Sequence, residues 1–285
     1  VIRRPISKFS RVLLSIVSVA VLLLGYSALC VAQKNKNPSD TTVPNLVQLR
    51  DGVVRAFSAQ TRITRETSAD GTTVVTERRS FFLSWIWKDF TATWGRLLAG
   101  LALGILGGVA IGLMMGCYTP VEALLQTPLD FLSKIPPTAM LALFFVLFGT
   151  GFDLFIAMIA FGIMPTLAQA VHTGAKKHVP QELIDKAHTL GASQIEIIGN
   201  VIFRQIMPTI IEASRLCVGP AMVYLIAAEW LVADVGFGYR LRIQSRLLDM
   251  SVVYIYLVIL AFAGYIVDLA MRRFIAWACP WYIKS

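Results

Sequence analysis

The apolar positions of this chain fall into a few long runs rather than short amphipathic stripes. The first, Val12 to Ala32, is about 21 residues, enough at 1.5 Å per residue to cross a ~30 Å hydrocarbon layer. Comparable runs lie at about Ala92–Met115, Phe152–Val171, Ile206–Val232 and Val252–Met271. A shorter one, Thr138–Phe148, is interrupted by Gly149-Thr150-Gly151. Read as one helix, Thr138 to Val171 would be ~51 Å long, too long for a single crossing, so the pattern predicts two spans joined by a glycine turn. The first of that pair is so short that protein rather than lipid is expected around it. The predicted architecture is an all-α membrane protein with six transmembrane helices.

Between the runs the polar positions set the organisation. Residues 1–32 form a cytoplasmic start and the first span, and residues 33–89 a polar outer loop. Residues 90–285 form the core with five further spans, with a cytoplasmic loop at 173–205. Within the outer loop, Thr61–Arg79 places polar and β-branched residues on either side of Asp70-Gly71, a dipeptide suited to a hairpin turn. The second span carries Gly100, Gly104, Gly108, Gly112 and Gly116 at i+4 spacing. Such a stripe lets a neighbouring backbone come close, and the same glycines would also serve a hinge.

Composition agrees with the bilayer. Of 285 residues 56% are hydrophobic and 15% charged, with mean hydropathy +0.67. The net charge of +9 is placed for orientation rather than for nucleic acid. Arg3, Arg4, Lys8 and Arg11 precede the first run, Lys176 and Lys177 follow the fourth, and Arg272, Arg273 and Lys284 close the chain. Basic flanks mark the cytoplasmic side, so both termini and the 173–205 loop are expected inside an inner membrane. The first run exceeds the h-region of a cleavable signal and reads as a retained span. Four scattered cysteines show no C-x-x-C spacing, and His172, His178 and His188 form no H-E-x-x-H. Phosphate-loop and nucleophile-elbow patterns do not occur in the sequence either. A chain with neither catalytic nor metal residues in pattern, binding no cofactor of its own, is expected to move something rather than to convert it.

The most patterned polar segment is Pro180-Gln181-Glu182-Leu183-Ile184-Asp185-Lys186-Ala187-His188-Thr189-Leu190-Gly191-Ala192-Ser193-Gln194-Ile195-Glu196. Pro180 suits a helix start, Gly191 the left-handed residue that ends one, and Ser193 with Glu196 a capping box that begins the next. Two short helices at a tight corner follow. A corner held between two spans has no way to track a DNA groove, so nucleic acid is excluded as a partner.

This segment resembles the cytoplasmic loop of the permease subunits of ABC importers, which carries Glu-Ala-Ala, three residues, Gly, nine residues, then Ile-x-Leu-Pro. Asp185-Lys186-Ala187 stands at the Glu-Ala-Ala position, three residues lead to Gly191, and nine more lead to Val201-Ile202-Phe203-Arg204, with Pro208 four residues on. Asp for Glu, Lys for the first Ala and Arg204 for the proline depart from the pattern. Ile135-Pro136-Pro137 before Phe148-Gly149-Thr150-Gly151, and Ala228-Glu229 before Gly236-Phe237-Gly238, resemble the taurine, alkanesulfonate and nitrate branch. The resemblance covers about Trp87 to Met271, and the hairpin looks like an insertion.

The resemblance implies a permease whose energy comes from separate ATPase subunits, which bind ATP and Mg. It also implies an extracytoplasmic solute-binding protein and a second permease copy, giving a homodimer in the lipid bilayer. It places coupling to the ATPase on Asp185, Ala187, Gly191 and Ala192. Glu229, an ionisable residue in an apolar run, is a candidate gate or pathway residue, with anchoring of the outer loop as the alternative. Arg240, Arg242 and Arg246 in the outer loop before the last span would give a basic mouth attractive to anions. The rival class is a secondary transporter or channel driven by an ion gradient, against which stands the lack of an internal repeat.

Overall fold

The computed structural model describes residues 7–36, 42–57, 60–67, 73–80 and 85–281, the two strands by backbone alone. Helix α1 spans Lys8–Lys36 and α2 Leu46–Phe57, followed by β1 (Gln60–Thr67) and β2 (Thr73–Ser80). Then come α3 (Trp85–Cys117), α4 (Thr119–Leu132), α5 (Leu141–Phe148), α6 (Phe152–His178) and α7 (Gln181–Thr189). Residues Gln194–Glu196 form α8, which runs through a π-helical stretch, Ile197–Phe203, into α9 (Arg204–Val232). Helices α10 (Phe237–Arg246) and α11 (Met250–Ala278) end the fold. The strands pair antiparallel from Gln60↔Ser80 to Thr67↔Thr73. The Asp70-Gly71 turn lies outside the described residues.

Among the described residues, five helical stretches are long and apolar enough to cross a membrane: Phe9–Lys36, Trp85–Cys117, Phe152–His178, Gln194–Val232 and Met250–Ala278. The apolar run at 141–148 is only the eight-residue α5, ~12 Å long and too short to cross alone.

How the chain crosses at that point follows from the packing of α3 on α6. A Cβ added to Gly100 would meet Ile159, one on Gly104 Ile163, one on Gly108 Leu167, one on Gly112 Val171, and one on Gly116 Ala175. Both helices advance four residues per contact in the same direction, so α3 and α6 are parallel. The chain must therefore return across the full thickness between Cys117 and Phe152. It does so as a broken span that climbs antiparallel to α6. Glu122 meets His172 and Lys176, Asp130 meets Gln169, and Phe144 meets Phe161 with ring centroids 5.6 Å apart. The third of six crossings is thus shared by α4, the turns at 133–140 and α5. Pro128 within α4 and Pro136-Pro137 in the turns remove the backbone donors that one continuous helix would need. Gly149, at φ +68°, turns the chain into α6.

The main core lies along α6, whose Leu154, Met158, Ile163, Leu167 and Val171 are buried between α3 and α9. A second, smaller core at the other end joins Ala56 of α2, Ile86 of α3, Phe237 and Leu241 of α10, and Val252 and Tyr256 of α11. Helix α1 stands apart, its apolar window wholly exposed, as suits a helix surrounded by lipid. Tyr26 ties it on, donating to the Pro44 carbonyl at 2.6 Å with its ring 6.0 Å from that of Tyr254.

Candidate functional site

Two polar constructions mark opposite ends of the bundle. One is the corner between α6 and α9. Helix α7 ends at Gly191, whose φ of +81° is the left-handed conformation that residues with a Cβ resist. Around it the Ala192 N–H donates to the Ala187 carbonyl at 3.1 Å and the Gly191 N–H to that of His188 at 3.0 Å, closing the helix C-terminus. The next helix opens with a reciprocal cap. The Glu196 N–H donates to Ser193 Oγ at 3.4 Å and the Ser193 N–H to Glu196 Oε2 at 2.8 Å, the capping box drawn from the sequence.

The corner sorts its apolar residues onto two sides. Ile184, Ala187 and Ala192 pack against the main core, while Leu190 and Ile195 stand out at 87% and 82% exposure. Asp185 and Gly191 are exposed, and Asp185 accepts from Gln181 at 3.0 Å. Of the four residues singled out for coupling, two therefore face outward and two face the helices that would carry the movement. Leu190 and Ile195 were not singled out, because which apolar residues of such a corner the bundle covers is decided by tertiary packing and not by the local pattern. The exposed pair straddles the positive-φ glycine, and that position was the available signal.

The second construction is a buried network where α3, α9, α10 and α11 meet at the end of the bundle opposite the corner. Glu229 is fully buried. It accepts from Thr93 Oγ1 at 2.9 Å, Arg96 Nη1 at 2.8 Å and the Gly238 N–H at 3.0 Å. Arg96 also donates to the Val235 carbonyl at 2.7 Å and lies 4.1 Å from the centre of the Phe155 ring. Asp89, equally buried, accepts from the Gly236 N–H at 3.1 Å and from Arg240 Nε and the Tyr256 hydroxyl, each at 2.8 Å. Burying two carboxylates is tolerable only with this full complement of donors. Gly236, at φ +130°, fits because a Cβ there would lie 2.5 Å from Glu229 Oε1. Glu229 is thus placed as an anchor of the 233–238 loop, with no surface of its own to offer a solute.

The same geometry corrects the expected basic mouth. Arg240 is held by Asp89 and lies 4.6 Å from the Trp85 ring centre. Arg242 donates to the Leu231 and Ala233 carbonyls at 3.0 and 3.1 Å, closing the C-terminus of α9. Arg246 alone of the three lies on the exposed surface. Sequence spacing showed three like charges and could not show that one is held by the Asp89 carboxylate and another by the last carbonyls of α9.

Toward the corner, further ion pairs lock neighbouring helices. Arg215 of α9 binds both Glu212 and Asp268, and Asp268 also accepts from Arg272 of α11 at 2.8 Å. Glu122 binds Lys176 and, at 3.1 Å, His172. Among the described residues no group of three His, Cys, Asp or Glu side chains is placed to hold a metal ion.

Comparison with known proteins matches residues 104–277 to the family described as "Binding-protein-dependent transport system inner membrane component". The chain is 27% identical over 204 residues to the "Taurine transport system permease protein TauC" of Escherichia coli (strain K12), covering 72% of this chain and 74% of that protein. It is also 27% identical over 205 residues to the "Putative aliphatic sulfonates transport permease protein SsuC" of the same organism, covering 70% and 77%. In fold it is similar to a chain of the inward-facing MetNI methionine ABC transporter. The TM-score is 0.59 at 19% identity, over 68% of this chain and 97% of that one.

Proposed function

Because the chain belongs to the family of binding-protein-dependent transport system inner membrane components, we propose that it is the transmembrane subunit of an ATP-driven importer for a small oxyanionic solute. Two relatives are named for taurine and aliphatic sulfonates, and the solute class rests on them. The observation that carries the coupling role is the α7–α8 corner. It presents an exposed Leu190 and Ile195 while its inner side is packed into the same core as α6 and α9. A partner subunit that grips the exposed side moves the spans as a body, because the corner is closed by backbone bonds on one flank and a capping box on the other.

In this reading the N- and C-termini and the corner lie in the cytoplasm, following the basic flanks. Two ATPase subunits bind ATP and Mg and dock on the corners. A solute-binding protein delivers the solute to the outer face, where α2, α10 and the hairpin lie. A second copy of the chain completes the pathway, since one open-sided bundle encloses none.

Reconstitution with the ATPase and the binding protein in proteoliposomes tests this. We expect uptake of labelled taurine or an alkanesulfonate that requires ATP and the binding protein, insensitive to dissipation of ion gradients. Uptake by the chain alone, driven by an ion gradient, would establish the secondary-transporter class instead.

A further inference from the structure

At the end of the bundle opposite the corner, α2 and the α10–α11 turn enclose a cleft of about 520 Å³. That volume lies within the ~300–1,000 Å³ typical of small-molecule sites. Helix α2 supplies one wall. Its Gln48, Asp51 and Arg55 recur at i, i+3 and i+7 on one face. Gly52 beside them lets α2 press on the start of α11, since a Cβ there would lie 2.9 Å from the Ser251 carbonyl oxygen. The other wall is the turn itself. Helix α10 ends with the Leu248 N–H donating to the Ser245 carbonyl at 3.2 Å and the Asp249 N–H to that of Gln244 at 3.0 Å. This closure puts Leu248, at φ +57°, where a glycine usually stands. Leu247 and Leu248 are left exposed at the rim of the cleft.

Several donors in this wall have no protein acceptor. Gln244 lines the cleft at only 6% exposure, and its side-chain amide makes no hydrogen bond among the described residues. Asp249 gives α11 no side-chain cap. The N–H groups of Ser251 and Val252, both buried residues, have no acceptor among the described residues; the next in line, that of Val253, reaches the Asp249 carbonyl at 3.4 Å. A helix N-terminus beside an unpaired buried amide suits an oxyanion. The carboxylates set a second requirement. Asp249 accepts from Arg55 Nη2 at 3.2 Å and from Ser251 Oγ at 2.6 Å, and Arg55 also donates to Ser251 Oγ at 2.7 Å. Asp51, by contrast, has among the described residues only the exposed Arg50, at 3.5 Å. One lining carboxylate is therefore compensated and the other is open to a cation.

We propose that this cleft is a binding site for a small zwitterion, whose acid group accepts from Gln244 and the start of α11 and whose ammonium group pairs with Asp51. The lining selects against simpler ligands. A plain oxyanion would meet two carboxylates against one guanidinium, and a plain amine would leave the α11 N–H groups without an acceptor. The leucine rim shelters the short carbon chain between the two charged ends. The site goes beyond the permease reading, because its ligand class follows from its own groups and α2, which forms half of it, precedes the matched family segment 104–277.

The test uses the full chain assembled with its ATPase in nanodiscs, without ATP or binding protein. The probes are taurine and β-alanine, one with a sulfonate head and one with a carboxylate. Leu248→Cys puts a thiol on the rim, and Val54→Cys, on α2 outside the cleft at 62% exposure, is the control. Modification by a maleimide-polyethylene glycol is scored by gel shift above the parent with its native cysteines. Each zwitterion should slow modification at 248 at least fivefold and leave 54 unchanged. Ethanesulfonate and ethylamine, each lacking one charged end, should need at least tenfold higher concentration for the same effect. Within the Leu248→Cys background, Gln244→Leu and Asp51→Asn should each raise the half-protecting concentration at least tenfold, with the unfolding midpoint of Gln244→Leu at or above its parent's. No protection by either zwitterion, equal protection by ethanesulfonate or ethylamine, or undiminished protection in Gln244→Leu overturns the proposal. So does protection by the solute-binding protein alone, which would make the cleft a docking surface. The ligand series on the unaltered cleft decides the matter even where a variant fails to assemble. No step uses transport, so a complex that imports nothing can still show protection, and a working importer without protection refutes this site and leaves the permease reading standing.

Discussion

Arg96 of α3 and Glu229 of α9 meet at 2.8 Å in a site where the carboxylate is fully buried, and the loop between α9 and α10 is wrapped around the pair. Thr93 and the Gly238 N–H complete the carboxylate's bonding, so the pair is part of a closed donor set rather than an isolated ion bridge. Removing one member leaves the other charge buried without a partner. Glu229→Ala is expected to destabilise the folded protein by about 3–5 kcal/mol. The double variant Arg96→Met, Glu229→Met should cost clearly less than the sum of its single variants. Thermal unfolding of the detergent-solubilised protein measures both. Additive losses would mean that the two side chains are not energetically coupled.

The glycine stripe gives a sharper contrast because it has an internal control. A Cβ on Gly112 would fall 2.5 Å from the Ala168 backbone carbonyl oxygen, which has no rotamer to yield. Gly95 lies in the same helix with nothing within 4 Å. Gly112→Ala is expected to cost about 1–3 kcal/mol as α3 and α6 are pushed apart. Gly95→Ala should gain up to about 1 kcal/mol from helix propensity alone. Unfolding midpoints of the two variants, measured side by side, should move in opposite directions.

How far the sequence announces this fold depends on which interactions are local. The five long spans, the left-handed Gly191 and the Ser193–Glu196 box are each decided within a few residues, and all can be read from the chain. The glycine stripe announces a close neighbour but not which one, since nothing in α3 distinguishes α6 from α9. The broken third crossing is not legible in the 138–148 run, because the return is shared with α4, whose amphipathic pattern resembles a surface helix. Glu229 illustrates the remaining limit. An acid in an apolar run signals importance, but its partners Thr93 and Arg96 lie over a hundred residues away, and only the packed structure brings them together.

The arginines of α10 test charge against structure. Arg242 caps the last carbonyls of α9 through Leu231 and Ala233, whereas Arg246 is free on the surface. Arg242→Gln should lower stability by about 1–2 kcal/mol while leaving the salt dependence of uptake unchanged. Arg246→Gln should leave stability within about 0.5 kcal/mol of wild type. A loss of salt dependence in Arg242→Gln with unchanged unfolding would restore the basic-mouth reading that the hydrogen bonds oppose.

The α7–α8 corner, proposed above to couple to the ATPase, yields the prediction that separates docking from folding most cleanly. Leu190 and Ile195 make almost no contact within the chain, at 87% and 82% exposure, so replacing them removes little internal packing. Leu190→Glu and Ile195→Glu are each expected to leave the unfolding midpoint within about 0.5 kcal/mol of wild type. If a partner ATPase covers these side chains, the same variants place an unpaired charge in an apolar contact. Stimulation of ATP hydrolysis by the loaded binding protein should then fall tenfold or more, from a complex that assembles weakly or not at all. Ala187 supplies the opposite case. Half-buried against the main core, Ala187→Glu should reduce the amount of folded protein before any question of coupling arises. Gly191→Ala lies between them. Its Cβ would meet nothing within 4 Å, but the left-handed φ costs about 1–2 kcal/mol, so it should loosen the corner and weaken stimulation without abolishing assembly. Full stimulation in both Leu190→Glu and Ile195→Glu would move the ATPase contact away from the exposed side of the corner.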